Sequence, residues 1–193
     1  MKKSVKEGDK MICYLDVDGV LVDFIGGLHR ALKIPFDYSN YPYESGRWDI
    51  LSDIASRAKV SLGYLNLLCS THFWESLLWT ADGKEILELV ERSFGEENVY
   101  LLTTPMPNTQ SWTGKYLWVE NHLPRYKERT VITKVPKSMF ASENRVLLDD
   151  RDQNVDEFIA AGGDAILVPS LLNRLFQFQT VAYLKKEITK RFS

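Results

Sequence analysis

The sequence predicts an α/β fold: a Rossmann-like, mostly parallel sheet with helices on both faces and a small helical cap inserted after the first strand. Three observations predict it. From about residue 81 onward, short apolar runs alternate with amphipathic segments, the pattern of strands joined by helical crossovers. Several of those runs end in carboxylates or hydroxyls, and the carboxyl ends of strands are where open α/β sheets bind ligands. Residues 24 to 80 hold no convincing strand pattern. The expected division is therefore an α/β core of residues 1–23 and 81–193 with a helical cap of residues 24–80.

The elements follow in order. MICYLD, Met11 to Asp16, is a short apolar run ending in a carboxylate, read as a buried strand. Phe24 to Leu32 carries apolar residues at helical spacing, and the stretch from Pro35 to Gly46, rich in Tyr, Pro, Ser and Gly, reads as loop. Ile50 to Leu68 and Phe73 to Leu78 read as helices. Asp82 is placed to cap a helix whose apolar stripe is Ile86, Leu87, Val90 and Phe94 and which stops at Gly95. Val99 to Leu102, Thr130 to Thr133, Arg145 to Asp149 and Ala165 to Val168 read as strands, the last stopped by Pro169. Thr109 to Asn121 and Val155 to Ala161 read as helices, the second halted by Gly162 and Gly163, and a C-terminal helix closes the chain.

Composition narrows the function. A chain of 193 residues suits one domain with a modest insertion, or one domain alone, and can bury a substantial core. The formal net charge of -2 leaves no broad basic footprint for duplex nucleic acid, and no stable nucleic-acid partner is expected. Cys13 and Cys69 are too few and too far apart for a metal cluster or a disulfide framework, and both are expected to be reduced. MKKSVKEGDK is polar, and the apolar run after it is short and broken by Asp16 and Asp18. Neither a signal peptide nor a membrane span is expected, and the cytoplasm is the expected location. His29, His72 and His122 are scattered and are assigned no chemistry.

The strand ends carry the chemistry. Asp16-Val17-Asp18-Gly19 follows the first strand, Thr103-Thr104 the second, Lys134 and Lys137 the third, and Asp149-Asp150 the fourth. Carboxylates crowded on one rim repel unless a cation sits among them, and Mg2+ takes oxygen ligands of this kind. An aspartate can attack phosphorus and split hydrolysis into two easier steps. A second carboxylate can protonate the leaving oxygen and then activate water. Hydroxyls, backbone N–H groups and a lysine can hold the equatorial oxygens of a phosphoryl group in flight. Each piece alone has an ordinary explanation as a turn, a cap or a solvated side chain. Their order at successive strand ends is what points to phosphoryl transfer.

The same residues resemble the haloacid dehalogenase (HAD) superfamily of phosphatases. LDVDGVLVDF is similar to its first motif, LLTT to its second, a lysine before the last motif to its third, and LLDDRDQN to its fourth. DVDGVLVDFIGGL, TTP, KYLWVE and LLDDR further resemble the 5′(3′)-deoxyribonucleotidases, which remove phosphate from nucleoside monophosphates and prefer deoxy forms. The resemblance implies Asp16 as nucleophile and Asp18 as general acid/base. It implies Thr103 holding phosphate with Thr104 and Gly19 beside it, and Lys137 as the phosphate-neutralising lysine, with Lys134 as the other candidate. It implies Mg2+ held by the Asp16 carboxylate, the Asp18 backbone carbonyl and the Asp149-Asp150 pair. Asp150 is favoured as direct ligand, with Asp149 in support and Asn154 orienting the shell. The insertion would be the cap that supplies substrate contacts. Phe24, Trp48 and Trp74, with Phe73, are candidates to face a base or simply to form the cap's core. A homodimer is common among such relatives.

Three other readings remain beside the nucleotidase, the third being a dehalogenase or mutase on the same scaffold. One is a phosphatase for another small ester or for a nucleic-acid 3′-phosphate. Another is a non-catalytic binding protein on the same fold, which the intact Asp16–Asp18 pair argues against. A dehalogenase would not need Asp18, and a mutase would need a cap that recognises a bisphosphate.

Overall fold

A computed structural model describes residues 10–38, 48–176 and 178–192. Five strands, β1 (Ile12–Leu15), β2 (Val99–Thr103), β3 (Thr130–Ile132), β4 (Arg145–Asp149) and β5 (Asp164–Leu167), form one sheet in the order β3-β2-β1-β4-β5. All pairings are parallel. The sheet is thus the doubly wound one that the alternating runs predict, with its topological switch beside β1. Cys13, Leu15, Leu101, Leu102, Leu147 and Leu148 are fully buried because both faces of the sheet are covered. Among the described residues, no helix is long and apolar enough to cross a membrane.

The helices around the sheet are α5 (Gly83–Phe94), α6 (Thr109–His122), α7 (Asp152–Ala160) and α8 (Thr180–Phe192). Ile86, Leu87, Val90 and Phe94 of α5 are buried, as the stripe requires, and Gly95 ends the helix. Asp82 differs from expectation: it precedes α5, but its side chain makes no capping hydrogen bond. Asn108 caps α6 instead, accepting from the Ser111 N–H at 2.8 Å.

Among the described residues, four helices lie between β1 and α5: α1 (Phe24–Leu32), α2 (Ile50–Ala58), α3 (Leu62–Leu68) and α4 (Thr71–Glu75). Asp23 caps α1 through the Gly26 N–H at 2.9 Å. The single helix expected over Ile50 to Leu68 is two, because Lys59 adopts a left-handed conformation (φ 55°) and Ser61 starts a new helix by accepting from the Tyr64 N–H. The helix expected over Phe73 to Leu78 is the shorter α4, which starts at a Ser70 cap. The loop expected over Pro35 to Gly46 lies largely outside the described residues.

α4 is seated on α6 at Gly114. A Cβ there would lie 2.6 Å from the Thr71 carbonyl and would overlap Trp74. The two ends of this helical stretch are tied together by backbone bonds, from Asp23 N–H to the Leu78 carbonyl (2.9 Å) and from Thr80 N–H to the Leu21 carbonyl (2.8 Å). The Trp118 indole adds a bond to the Leu77 carbonyl at 2.8 Å.

Candidate active site

Strand register brings the motif residues together. Leu15 pairs with Leu101 on one side and Leu148 on the other. Asp16, one residue on, donates its N–H to the Leu148 carbonyl at 2.9 Å. The carboxylates of Asp16, Asp149 and Asp150 each offer an oxygen within 4.8 Å of the others. A cavity of about 280 Å³ opens over them, lined by Asp16, Asp18, Gly19, Phe24, Trp48, Thr104, Lys137, Asp150 and Asn154 among others.

Gly19 makes the turn after β1 possible. Its φ is +78°, and a Cβ would collide with the Asp150 carboxylate. The chain therefore passes close enough to Asp150 that only glycine fits.

Lys137, 4 % exposed, reaches under the cavity from a short 3-10 turn at Lys137–Phe140. Its ammonium lies 2.6 Å from Asp16 and 2.5 Å from Asp149. Burial works against that charge, but Asp149 and Asp16 outweigh it and hold the ammonium above the ordinary lysine value. Lys134, the other lysine candidate, is exposed and does not line this cavity.

The two acids of the last motif have different partners. Asp149 is 0 % exposed, and both its oxygens are occupied: Oδ2 by Lys137 and Asn154, Oδ1 by the Arg151 N–H and Asn154. Asp150 faces the cavity. Burial, then the charges of Asp16 and Asp149, push the Asp150 carboxyl well above its usual range, while Ser170 and Lys137 pull it back. Burial likewise raises Asp16 to about 7, against the pull of Lys137. Two buried, cavity-facing carboxylates whose charge is disfavoured suit a hard divalent cation, which would supply what Lys137 alone does not. Asp16 and Asp150 fit that role, and the occupied oxygens of Asp149 fit a supporting one.

One participant was not anticipated. Lys115 of α6, 4 % exposed, forms an ion pair with Asp18 Oδ2 and donates to Thr103 Oγ1 at 3.0 Å. Its signal in the sequence was a lysine on an inward stripe: Ser111, Gly114, Lys115 and Trp118 share the buried face of α6. Thr103 is buried below the rim, 1 % exposed, whereas Thr104 is exposed and lines the cavity.

The aromatic candidates form a wall. Phe24 stacks on Trp74 with centroids 5.0 Å apart and planes 7° from parallel, and Phe73 packs edge-on to both. Phe24 and Trp48 line the cavity; Trp74 is 2 % exposed and backs Phe24. A neighbouring recess of about 260 Å³ shares Asp18, Phe24, Trp48, Ile50 and Thr104 with the cavity and adds Trp74, Pro105 and Met106. A flat apolar ligand portion would find its surface there, beside the carboxylates. The Arg151 guanidinium lies 5.6 Å from the Trp48 ring centroid.

Comparison with known proteins identifies relatives of the chain. Residues 10–188 match the family described as 5′ nucleotidase, deoxy (pyrimidine), cytosolic type C. A protein of Vibrio phage KVP40 named as a 5′(3′)-deoxyribonucleotidase is 30% identical over 150 residues, covering 77% of this chain and 71% of the relative. The human cytosolic 5′(3′)-deoxyribonucleotidase is 27% identical over 154 residues, 72% of this chain and 69% of the relative. Among solved structures, the Bacillus subtilis HAD hydrolase YfnB, bound to magnesium, superposes with a TM-score of 0.60 at 13% identity, covering 93% of this chain and 99% of that one. A haloacid dehalogenase-like hydrolase from Xanthomonas campestris gives 0.58 at 11% identity, with 97% and 94% covered. These two show a shared fold.

Proposed function

The chain belongs to the family of cytosolic type C 5′(3′) nucleotidases on the HAD fold, and on that footing we propose that it is a magnesium-dependent phosphomonoesterase of nucleoside monophosphates, deoxy forms included. The observation that carries this reading is one cavity. It holds Asp16 beside Lys137, Asp18 two residues on, and the Phe24 and Trp48 rings.

The chemistry divides among these residues. A carboxylate oxygen of Asp16 attacks phosphorus, and the bond from phosphorus to the ester oxygen breaks. Asp18 gives its proton to that leaving oxygen. Asp18 then takes a proton from water, whose oxygen attacks the phosphorus of the aspartyl-phosphate; Asp16 and inorganic phosphate are released. Lys137, already the counter-charge of Asp16, neutralises the phosphoryl oxygens together with Thr103, Thr104 and the backbone around Gly19. Asp16, the Asp18 carbonyl and Asp150 would hold Mg2+, which when bound would supply positive charge against the crowded oxygens. Phe24 and Trp48, backed by Trp74, hold the base, and the helices of residues 24–80 act as a cap over the rim.

The test is phosphate release from 3′- and 5′-nucleoside monophosphates, deoxy and ribo, with magnesium, with EDTA and in Asp16→Asn. Magnesium-dependent release from deoxynucleotides that vanishes in the variant supports the reading. Release only from unrelated esters removes the nucleotide assignment and keeps the mechanism.

A further inference from the structure

Lys115 stands between two residues with different duties. It pairs with Asp18 Oδ2 and donates to Thr103 Oγ1 at 3.0 Å. The other Asp18 oxygen, Oδ1, is buried and has no hydrogen-bond partner among the described residues. Lys115 thus fixes the orientation of the Asp18 carboxyl group through one of its two oxygens. Thr103, accepting from Lys115, keeps its own O–H to donate elsewhere. The lysine is itself fixed. It projects from α6 beside Gly114, where α4 is seated, and its ammonium lies 4.8 Å from the Trp74 ring centroid. That ring is stacked on Phe24 of the cavity wall.

We propose that Lys115 is a positioning residue: it aims Asp18 for proton transfer and couples that aim to the phosphate-holding end of β2 through Thr103. The inference rests on the proposed function, in which Asp18 is the acid and base. The ion pair is more than a surface contact because Lys115 is buried and removing it would strand an acid at the rim. Contacts thus run from the aromatic wall through Trp74 and Lys115 to Asp18.

The test separates aim from stability and from phosphate binding. Lys115→Met and Lys115→Arg are compared with the parent protein for kcat and KM on deoxyuridine monophosphate and on p-nitrophenyl phosphate. Expelling an alkoxide needs a well-aimed proton; expelling p-nitrophenolate needs little. The proposal expects kcat/KM of Lys115→Met to fall about 100-fold on the nucleotide and under about 5-fold on the nitrophenyl ester, with KM within about threefold. Lys115→Arg should recover part of the loss. Equal losses on both esters, or a loss confined to KM, would overturn it. If Lys115→Met does not fold, the same ratio is read in Lys115→Arg, with an equal loss on both esters again counting against the proposal. If the parent protein hydrolyses neither ester, the proposed function fails separately. Lys115 is then judged by crystal structures of the parent and of Lys115→Arg: an Asp18 side chain that keeps its place when the lysine geometry changes contradicts the coupling, and one that turns away from Thr103 supports it.

Discussion

Lys137 and Asp149 form an ion pair 2.5 Å long in which neither side chain is more than 3% exposed. The same ammonium holds Asp16 at 2.6 Å. One buried cation therefore balances the charges of both Asp16 and Asp149.

Removing it should be costly. Lys137→Met leaves Asp16 and Asp149 buried without their counter-charge, and the loss should be about 3–5 kcal/mol. Urea unfolding with and without magnesium measures it. Magnesium should recover part of the loss, because a divalent cation offsets the same carboxylates. Phosphate release should be abolished either way.

Asp16 gives a pH signature in the metal-free protein. Its carboxyl sits near 7 in the folded chain against an ordinary 3.8, burial being the main cause. Between those values the folded state binds more protons than the unfolded one, so this group makes stability fall as pH rises from about 4 to about 7. Asp16→Asn lacks that penalty. The variant should be no more stable than the parent near pH 4 and more stable by about 1–2 kcal/mol above pH 7, with activity lost. Thermal melts in EDTA across that range check it, and saturating magnesium should narrow the gap.

Two glycines predict separate failures. Gly19→Ala forces a Cβ at φ +78° into the Asp150 carboxylate. It should cost about 1–3 kcal/mol and weaken magnesium binding, measured by calorimetry. Gly114→Ala pushes α4 off α6 at Trp74. It should cost about 1–3 kcal/mol while leaving magnesium affinity within about threefold, because the strain falls under the aromatic wall and not on the carboxylates.

The thiols should be silent. Burial raises Cys69 to about 12 and pushes Cys13 further still. Neither should react with a thiol reagent in the native protein, and both should react on unfolding.

How much of this was legible in the sequence depends on the kind of signal. The strand ends were legible because each apolar run terminates in a residue that an apolar strand would not otherwise carry: Asp16, Thr103 and Asp149 follow Leu15, Leu102 and Leu148. Parallel register then places them side by side without further information. Sequence spacing could not separate Lys134 from Lys137; the 3-10 turn that buries Lys137 and leaves Lys134 exposed does so. Nor could it separate Asp149 from Asp150, which differ in partners that Lys137, Asn154, Arg151 and Ser170 supply. Lys115 was passed over because the pairing with Asp18 spans 97 residues and a lysine in a helix is ordinarily solvated. The break at Lys59 was missed because the left-handed residue that ends α2 is a lysine where a glycine is usual.

The central claim is that Asp16 carries the phosphoryl group. The most direct measurement is acid quenching of the magnesium-loaded protein during turnover of a radiolabelled deoxynucleotide, with borohydride reduction to mark any acyl phosphate, followed by peptide mapping. The account predicts label and reduction product on the peptide bearing Asp16, and none in Asp16→Asn. Phosphate release that continues undiminished in Asp16→Asn, or label mapping to another residue, would contradict it.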